Sequence, residues 1–108
     1  GLVHEVEVQT AEGQSCEVSV TTEGALRYQE CRIATEALPA AVASKVAELY
    51  PDGKVLEAER KTIEDREEFT VEVEHGGEEF YLHLDPAGTL LSAHRRVKAI
   101  VELPLATP

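Results

Sequence analysis

Three observations predict an α+β fold, in which one helix covers an antiparallel meander sheet of about seven strands arranged in two repeated halves. The chain repeats itself, because residues 18–26 read like residues 82–90 at an offset of 64. Apolar and polar residues alternate along most of its length, which is typical of strands with one buried and one solvated face. Residues 38–50 instead have helical spacing of their apolar side chains.

The repeat extends beyond that segment and suggests how the chain is organised. Residues 6–8 (VEV) match residues 71–73 (VEV) at an offset of 65. A repeat of this length is one copied supersecondary unit. We therefore expect a single domain, 1–108, divided into a partial unit at 3–36 that lacks its helix, a complete helix-plus-meander unit at 37–96, and a tail at 97–108.

The first half is predicted to be a three-stranded meander. Apolar residues alternate with polar ones at about 3–9 and 16–20, and a third strand runs from Leu26 to about Ile33. Residues 21–24 (TTEG) fit a type I turn whose final glycine adopts the left-handed conformation. These strands have an apolar face and no helix of their own to cover it.

One helix follows, at about 39–50. Pro39 suits the first turn, where its missing N–H is not needed, and residues 51–53 (PDG) end the helix. Its apolar residues form one stripe that we expect to pack on the sheet: Leu38, Val42, Val46, Leu49 and Tyr50. The sheet residues expected beneath them are Val71, Val73, Phe80, Leu82 and Leu84.

The second half is predicted to be a four-stranded meander. Its first strand, at about 55–62, is assigned to a sheet edge because its C-terminal part is charged. Residues 75–78 (HGGE) form a glycine hairpin between the second and third strands. Residues 85–88 (DPAG) repeat the earlier turn, and the last strand starts at Leu90.

Four segments of the second half resemble a PepSY-like domain, whose fold is related to that of the beta-lactamase inhibitor protein. They are residues 38–42 (LPAAV), 50–55 (YPDGKV), 69–73 (FTVEV) and 84–90 (LDPAGTL). The resemblance covers about 37–95 well, and the first half only as a unit without its helix and first strand. It implies a secreted or periplasmic domain that binds proteins or peptides, with peptidase regulation or inhibition as its activity. The family has no catalytic residues to carry over.

The charge of the chain limits its partners. A net charge of −11 argues against nucleic acid and against an anionic membrane surface. No apolar run approaches the roughly 18 residues that a membrane span needs, so we expect no membrane insertion. The chain begins with glycine and contains no methionine. We expect an exported chain whose signal peptide has been removed.

The chemistry-bearing residues predict no catalytic, cofactor or metal site. The histidines His4, His75, His83 and His94 form no H-x₃-H pair and lie beside no cysteine at ligand spacing. His83 and His94 fall on neighbouring strands, where they could approach each other. No nucleophile elbow or phosphate loop is present. We therefore expect a protein that is not an enzyme.

The two cysteines leave two interpretations open. The turn at 21–24 places Cys16 opposite Glu30, one residue short of Cys31. Since neighbours on a strand point to opposite faces, a disulfide needs a bulge or a register shift. The alternative is a buried thiol at Cys16 and an exposed thiol at Cys31.

An acidic run at 64–79 also has two interpretations. A calcium site or a docking surface for a basic partner is one, although the spacing of a dedicated calcium loop is missing. The other is a solvated face that discourages edge-to-edge pairing of sheets. The residues of the run are Glu64, Asp65, Glu67, Glu68, Glu72, Glu74, Glu78 and Glu79.

Together these observations favour a non-enzymatic module that binds a protein or peptide outside the cytoplasm. We expect the contact surface on the polar, helix-free face of the sheet, with Tyr81 and His83 at its centre and Thr70 and Glu72 beside them, because aromatic side chains contribute strongly to binding. The alternatives are a structural or self-assembly module, and a cation-binding sensory domain that uses the acidic run.

The uncovered strands at 3–33 have two candidate coverings. The tail at 97–105 could fold back over them, or a second copy of the chain could cover what the helix leaves open. Each buried large apolar side chain stabilises the folded state by about 1.5–3 kcal/mol, and an exposed face loses this stabilisation. A homodimer is the covering that we favour.

Overall fold

A computed structural model describes residues 3–9 and 14–97, with the backbone alone for residues 3–5. These residues form a seven-stranded antiparallel sheet in which the strand order follows the chain, one α-helix and one short 3₁₀ helix. The predicted α+β fold is thereby confirmed. The elements are β1 Val3–Gln9, β2 Ser15–Thr21, β3 Leu26–Ile33, the 3₁₀ helix Thr35–Ala37, α1 Ala40–Leu49, β4 Lys54–Ile63, β5 Arg66–His75, β6 Glu78–Leu84 and β7 Leu90–Arg96.

The core lies between α1 and one face of the sheet. Leu38, Val42 and Val46 are buried on the helix side, at the helical spacing that the sequence shows. They pack with apolar residues that strands β3 to β6 direct to the same face: Ile33, Ala58, Phe69, Val71, Val73, Leu82 and Leu84. Among the described residues, no helix is long and apolar enough to cross a membrane.

The end of α1 departs from the predicted stripe. Leu49 is the last helical residue, and 37 % of its surface is exposed. The next residue, Tyr50, leaves the helical conformation, and its ring stacks on Phe80 at a centroid distance of 4.6 Å. The prediction that Leu49 is buried is therefore wrong, because the chain turns away at this point and the aromatic ring covers the end of the core.

Strand β4 is central, and its assignment to a sheet edge is wrong. It pairs with β3 on one side and with β5 on the other. Three of its charged residues, Glu57, Glu59 and Lys61, alternate with its buried Ala58 and project to the helix-free face. A sheet covered on one face only can carry such charges on an interior strand, because the other face remains in water.

Cys16 and Cys31 form a disulfide, which decides between the two interpretations left open by the sequence. They are direct cross-strand partners, because the ladder skips Arg27 between the pairs Ser19↔Tyr28 and Val20↔Leu26. This bulge supplies the one-residue shift that the bridge requires. The expected pairing of Cys16 with Glu30 is wrong, and so is the exposed thiol at Cys31, since both cysteines are buried.

The hairpins β2–β3 and β6–β7 share turn and bulge geometry. Gly24 has φ 86° and Gly88 has φ 85°, the left-handed region that glycine adopts without strain. In each hairpin the first strand pair beyond the turn is followed by a one-residue bulge, as Leu84↔Leu90 is followed by His83↔Ser92. The turns differ in their surroundings: a Cβ atom on Gly88 would lie 2.5 Å from the carbonyl oxygen of Ala41 in α1, whereas nothing lies within 4 Å of one on Gly24.

Within the described residues, the helix-side face of β1–β3 is largely uncovered. Val6 is 48 % exposed, Val8 41 % and Leu26 54 %. The disulfide is the buried part of this face, beside the edge of the helix-covered core. The tail at 97–105, one of the two candidate coverings, lies outside the described residues apart from Val97, and the homodimer stays a prediction.

Replacing each turn glycine by alanine measures the contact between α1 and the sheet. Gly24→Ala should cost about 1–2 kcal/mol, because only the left-handed backbone resists the side chain. Gly88→Ala should cost about 1–3 kcal/mol more, because the new methyl group also meets the Ala41 carbonyl. Chemical denaturation of both variants checks the difference, and equal losses would show that the helix does not approach this turn.

The disulfide predicts the reactivity of the thiols. A thiol reagent should label neither cysteine of the denatured, unreduced protein, and should label both after reduction. The double variant Cys16→Ala/Cys31→Ala should lose about 3 kcal/mol of unfolding free energy, the value expected for a loop of about 15 residues. Labelling without reductant would contradict the bridge.

Candidate functional site

The four residues predicted from the sequence lie together on the helix-free face of β5 and β6. Thr70 pairs with His83 across the two strands, and Glu72 pairs with Tyr81. The Thr70 Oγ1 and His83 Nδ1 atoms are 3.1 Å apart, and the Tyr81 hydroxyl donates to Glu72 Oε1 at 3.3 Å. All four side chains are half-buried. Cross-strand pairing therefore arranges them as two hydrogen-bonded pairs.

Strand β7 extends this group with residues outside the predicted set. The ring of His94 stands edge-on to His83 at a centroid distance of 5.6 Å, so the approach expected from the sequence does occur. Arg96 Nη1 donates to the Tyr81 hydroxyl and to Glu79 Oε2, each at 3.4 Å. Arg96 gave no motif in the sequence, and only the register between β6 and β7 reveals it.

His83 is held in its neutral form. Burial lowers the pKa of its imidazole, and the nearby His94 lowers it further, while Glu68 acts in the opposite direction. A neutral imidazole is both a donor and an acceptor. His83 can therefore exchange hydrogen bonds with Thr70 and with an incoming group at neutral pH.

The β1–β4 part of the same face is acidic. A shallow depression of about 500 Å³ is lined there by Glu7, Ser15, Glu17, Glu30, Arg32 and Glu59. Arg32 makes an ion pair with Glu57 at 3.5 Å. The depression lies beside the four predicted residues, since Glu59 on β4 is the cross-strand partner of Thr70 on β5.

One carboxyl group in the depression, that of Glu59, has a raised pKa. The pKa of Glu59 is raised to about 7, first by its side-chain hydrogen bond with Glu30, then by partial burial and the charge of Glu30, against a lowering by Arg32. A hydrogen bond between two carboxyl groups requires a proton on one of them. No motif in the sequence indicates this pair, because it depends on the register between β3 and β4.

The acidic run at 64–79 does not gather into a cation site. It is spread over the turn at Glu64 and Asp65, strand β5 and the first two residues of β6. Within the described residues, no group of three or more histidine, cysteine or carboxylate side chains could hold a metal ion. Two of its members, Glu78 and Glu79, instead pair with Arg95 and Arg96 on β7.

The Thr70–His83 pair has the separation of a nucleophile and its base, and its position decides what it can do. A hydroxyl near an imidazole is one part of a nucleophilic site, and acyl transfer also needs donors for a developing oxyanion. Thr70 lies in the middle of β5, which pairs with β4 and β6. The backbone N–H groups around Thr70 are therefore committed to the ladder and do not serve as donors for an oxyanion.

Comparison with known proteins identifies relatives of the fold. No family model and no curated protein matches the sequence. A BLIP-like protein from Bacteroides fragilis NCTC 9343 has a TM-score of 0.73 at 22 % identity, over 96 % of this chain and 76 % of its own. A DUF2874 family protein from Bacteroides uniformis ATCC 8492 has a TM-score of 0.75 at 16 % identity, over 86 % and 70 %.

A third solved structure has a similar fold. It is described as one of the putative periplasmic proteins of Bacteroides eggerthii DSM 20697, with a TM-score of 0.75 at 15 % identity over 86 % of this chain and 70 % of its own. At these identities the comparisons establish a shared fold. They agree with the expected relation to the beta-lactamase inhibitor protein, and the PepSY-like resemblance stays a prediction.

The raised pKa of Glu59 predicts how stability depends on pH. The folded pKa of Glu59 is about 7 and its ordinary value is 4.5, so between these values the folded chain binds a proton that the unfolded chain does not. Its contribution is fully present below pH 4.5 and is lost as the pH rises through 7. Glu59→Gln should remove this loss and leave the variant more stable than the parent above pH 7.

Denaturation curves of parent and variant across this pH range measure the difference. The control is Glu23→Gln in the exposed β2–β3 turn, whose stability should follow that of the parent at every pH. If the Glu59→Gln and parent curves run parallel, the pKa of Glu59 is not raised in the folded chain.

Proposed function

We propose that this protein is a non-enzymatic module that acts outside the cytoplasm and binds a protein or peptide through the helix-free face of its sheet. The observation that carries the proposal is the open, half-buried group of Tyr81, His83, Thr70 and Glu72 on a face that α1 does not cover. Tyrosine offers a large rigid surface with a polar tip, which is the property of residues that dominate binding energies.

Two observations support a location outside the cytoplasm. The Cys16–Cys31 disulfide is of a kind that persists in oxidising compartments and is rare in the cytosol. One neighbour in fold is described as a putative periplasmic protein. These lines of support are independent, since the first comes from this chain alone.

The chemistry of the face favours a partner that brings both a flat apolar group and hydrogen-bond donors. The Tyr81 and His94 rings lie on adjacent strands, where a side chain or peptide plane can pack on them. The neighbouring depression offers carboxylates of Glu7, Glu17 and Glu30. A basic segment of the partner fits this side, because the net charge of the chain is −11.

Regulation of a peptidase is the finer form of the proposal. It rests on the PepSY-like resemblance and on the BLIP-like description of one neighbour in fold. In this form, the helix-free face contacts an exported peptidase and lowers its activity.

Truncation of Tyr81 tests the binding face. Immobilised protein should retain a partner from the exported proteins of the producing cell. Tyr81→Ala should lower the affinity for that partner at least tenfold, because a central aromatic contact is lost. Tyr81→Phe keeps the ring but loses the hydroxyl that Glu72 and Arg96 contact, so its effect should be intermediate.

The matched control is Leu91→Ala, which removes an exposed apolar side chain from β7 and should change the affinity less than twofold. Equal binding by the parent and Tyr81→Ala would exclude this face. Peptidase activity of the same fraction, measured with added parent protein, tests the finer form: unchanged activity excludes regulation and leaves binding intact.

A further inference from the structure

Two histidines on the helix-free face lie on the neighbouring strands β6 and β7. His83 pairs with Ser92 and His94 pairs with Tyr81, so the two imidazoles stand diagonally across the ladder. Their ring centroids are 5.6 Å apart, and the ring planes are inclined at 80° to each other. The register of the sheet therefore brings two nitrogen ligands of different strands to one place.

The separation of these rings is close to that of two imidazoles that bind one metal ion. Zinc–nitrogen bonds are about 2.0–2.1 Å long, and the angle between them is tetrahedral in most protein sites. With the ion in line with each ring, these values place the two ring centroids about 5 Å apart. His83 and His94 stand at 5.6 Å, so a small turn of one ring is enough to form the site.

Thr70 orients His83 for this role. The Thr70 Oγ1 and His83 Nδ1 atoms are 3.1 Å apart, and when Nδ1 donates to the hydroxyl, Nε2 carries no proton and can bind a metal ion. Histidine ligands of metals almost always have their second nitrogen bonded in this way, which fixes the tautomer and the direction of the ring. The lowered pKa of His83 keeps the imidazole in the neutral form that binds metals.

His94 has the freedom to turn that His83 lacks. It is exposed, and within residues 3–9 and 14–97 its ring makes no hydrogen bond or ion pair. Rotation about the bond between the ring and Cβ has only broad preferences in histidine. His94 can therefore direct a ring nitrogen to an ion that His83 already holds.

The charges around the two rings permit a cation. The carboxylate of Glu68 on β5 acts on His83 against the ammonium group of Lys61 on β4. Arg96, on the same face of β7, is ion-paired with Glu79 at 3.4 Å, so its charge is balanced by a carboxylate. The net charge of −11 also draws cations towards the chain as a whole.

We propose that His83 and His94 together bind one zinc ion, or another divalent transition-metal ion that prefers imidazole ligands, across strands β6 and β7. Two ligands come from the chain, and the other two positions of a tetrahedral ion are open to water or to a ligand from a molecule that contacts the helix-free face. The site does not depend on the proposed binding of a protein or peptide, because both of its ligands belong to this chain.

The ligand set determines the kind of ion and how it is held. Calcium and magnesium take oxygen ligands, whereas zinc accepts imidazole nitrogen. Among the described residues no third histidine, cysteine or carboxylate joins the pair, so the site is open and its ion exchanges with solution. Spacing along the sequence predicts no metal site here, because only the register between β6 and β7 brings the two histidines together.

Titration of zinc chloride into isotope-labelled protein tests the site. One equivalent should shift the imidazole signals of His83 and His94, and zinc should raise the melting temperature, because the ion binds the folded chain. His94→Gln removes one of the two ligands and should weaken zinc binding at least tenfold. Thr70→Val removes only the hydroxyl that orients His83 and should have an intermediate effect.

The matched control is His75→Gln, which should change the affinity for zinc less than twofold. His75 is the last residue of β5, its side chain belongs to the helix-side face, and its ring lies 5.6 Å from that of Tyr50. Calcium chloride is the second control: it should leave the signals of His83 and His94 unchanged, because calcium does not take imidazole ligands.

Each outcome decides the proposal. Zinc-induced shifts at His83 and His94 that His94→Gln loses and His75→Gln keeps support it. No shifts at about 1 mM zinc, where a site with a millimolar dissociation constant is half filled, overturn it, as does equal binding by His94→Gln and the parent. Equal shifts with calcium, or shifts in the acidic depression in place of β6 and β7, assign the ion to carboxylates and also overturn it.

Discussion

The packing of one short helix on one face of the sheet is the interaction on which the rest of the structure depends. Val42 and Val46 bury the apolar side chains of strands β3 to β6, and the aromatic stack of Tyr50 on Phe80 closes the end of that core. Because α1 is only ten residues long, it covers part of one face. Within the described residues no helix covers the opposite face, and the helix-side face of β1–β3 is largely uncovered as well.

The disulfide on the helix side also determines which residues of β2 and β3 meet on the opposite face. By pairing Cys16 with Cys31 on the helix side, it fixes the register that places Glu17 opposite Glu30 on the other side. A one-residue slip would turn every side chain of β2 to the wrong face. The bulge that permits the bridge therefore also determines that Glu17 of β2 meets Glu30 of β3 in the acidic depression.

Much of the fold follows from the sequence, because periodicity and turn chemistry are local. Alternation located the strands, and the stripe around Val42 located the helix. What sequence could not supply is the register between strands. The bulge at Arg27, the carboxyl pair on β3 and β4, and the contact of Arg96 with Tyr81 each depend on it. The charges of β4 led to the wrong assignment of this strand to a sheet edge for a related reason. An edge strand and an interior strand with one solvated face have the same alternation of charged and apolar residues.

The strand order has a consequence for how the chain folds. Every strand pairs with its neighbour in sequence, so the sheet has no crossover. The longest connection between paired strands is the one that contains α1, between Ile33 and Lys54. Sheets usually form slowly because distant segments must come together, at a cost in chain entropy, before any stabilising contact forms. Here each hairpin joins strands that are neighbours in the chain, and only the pairing of β3 with β4 closes the longer segment that contains α1, so the entropy cost of loop closure is greatest at that pairing.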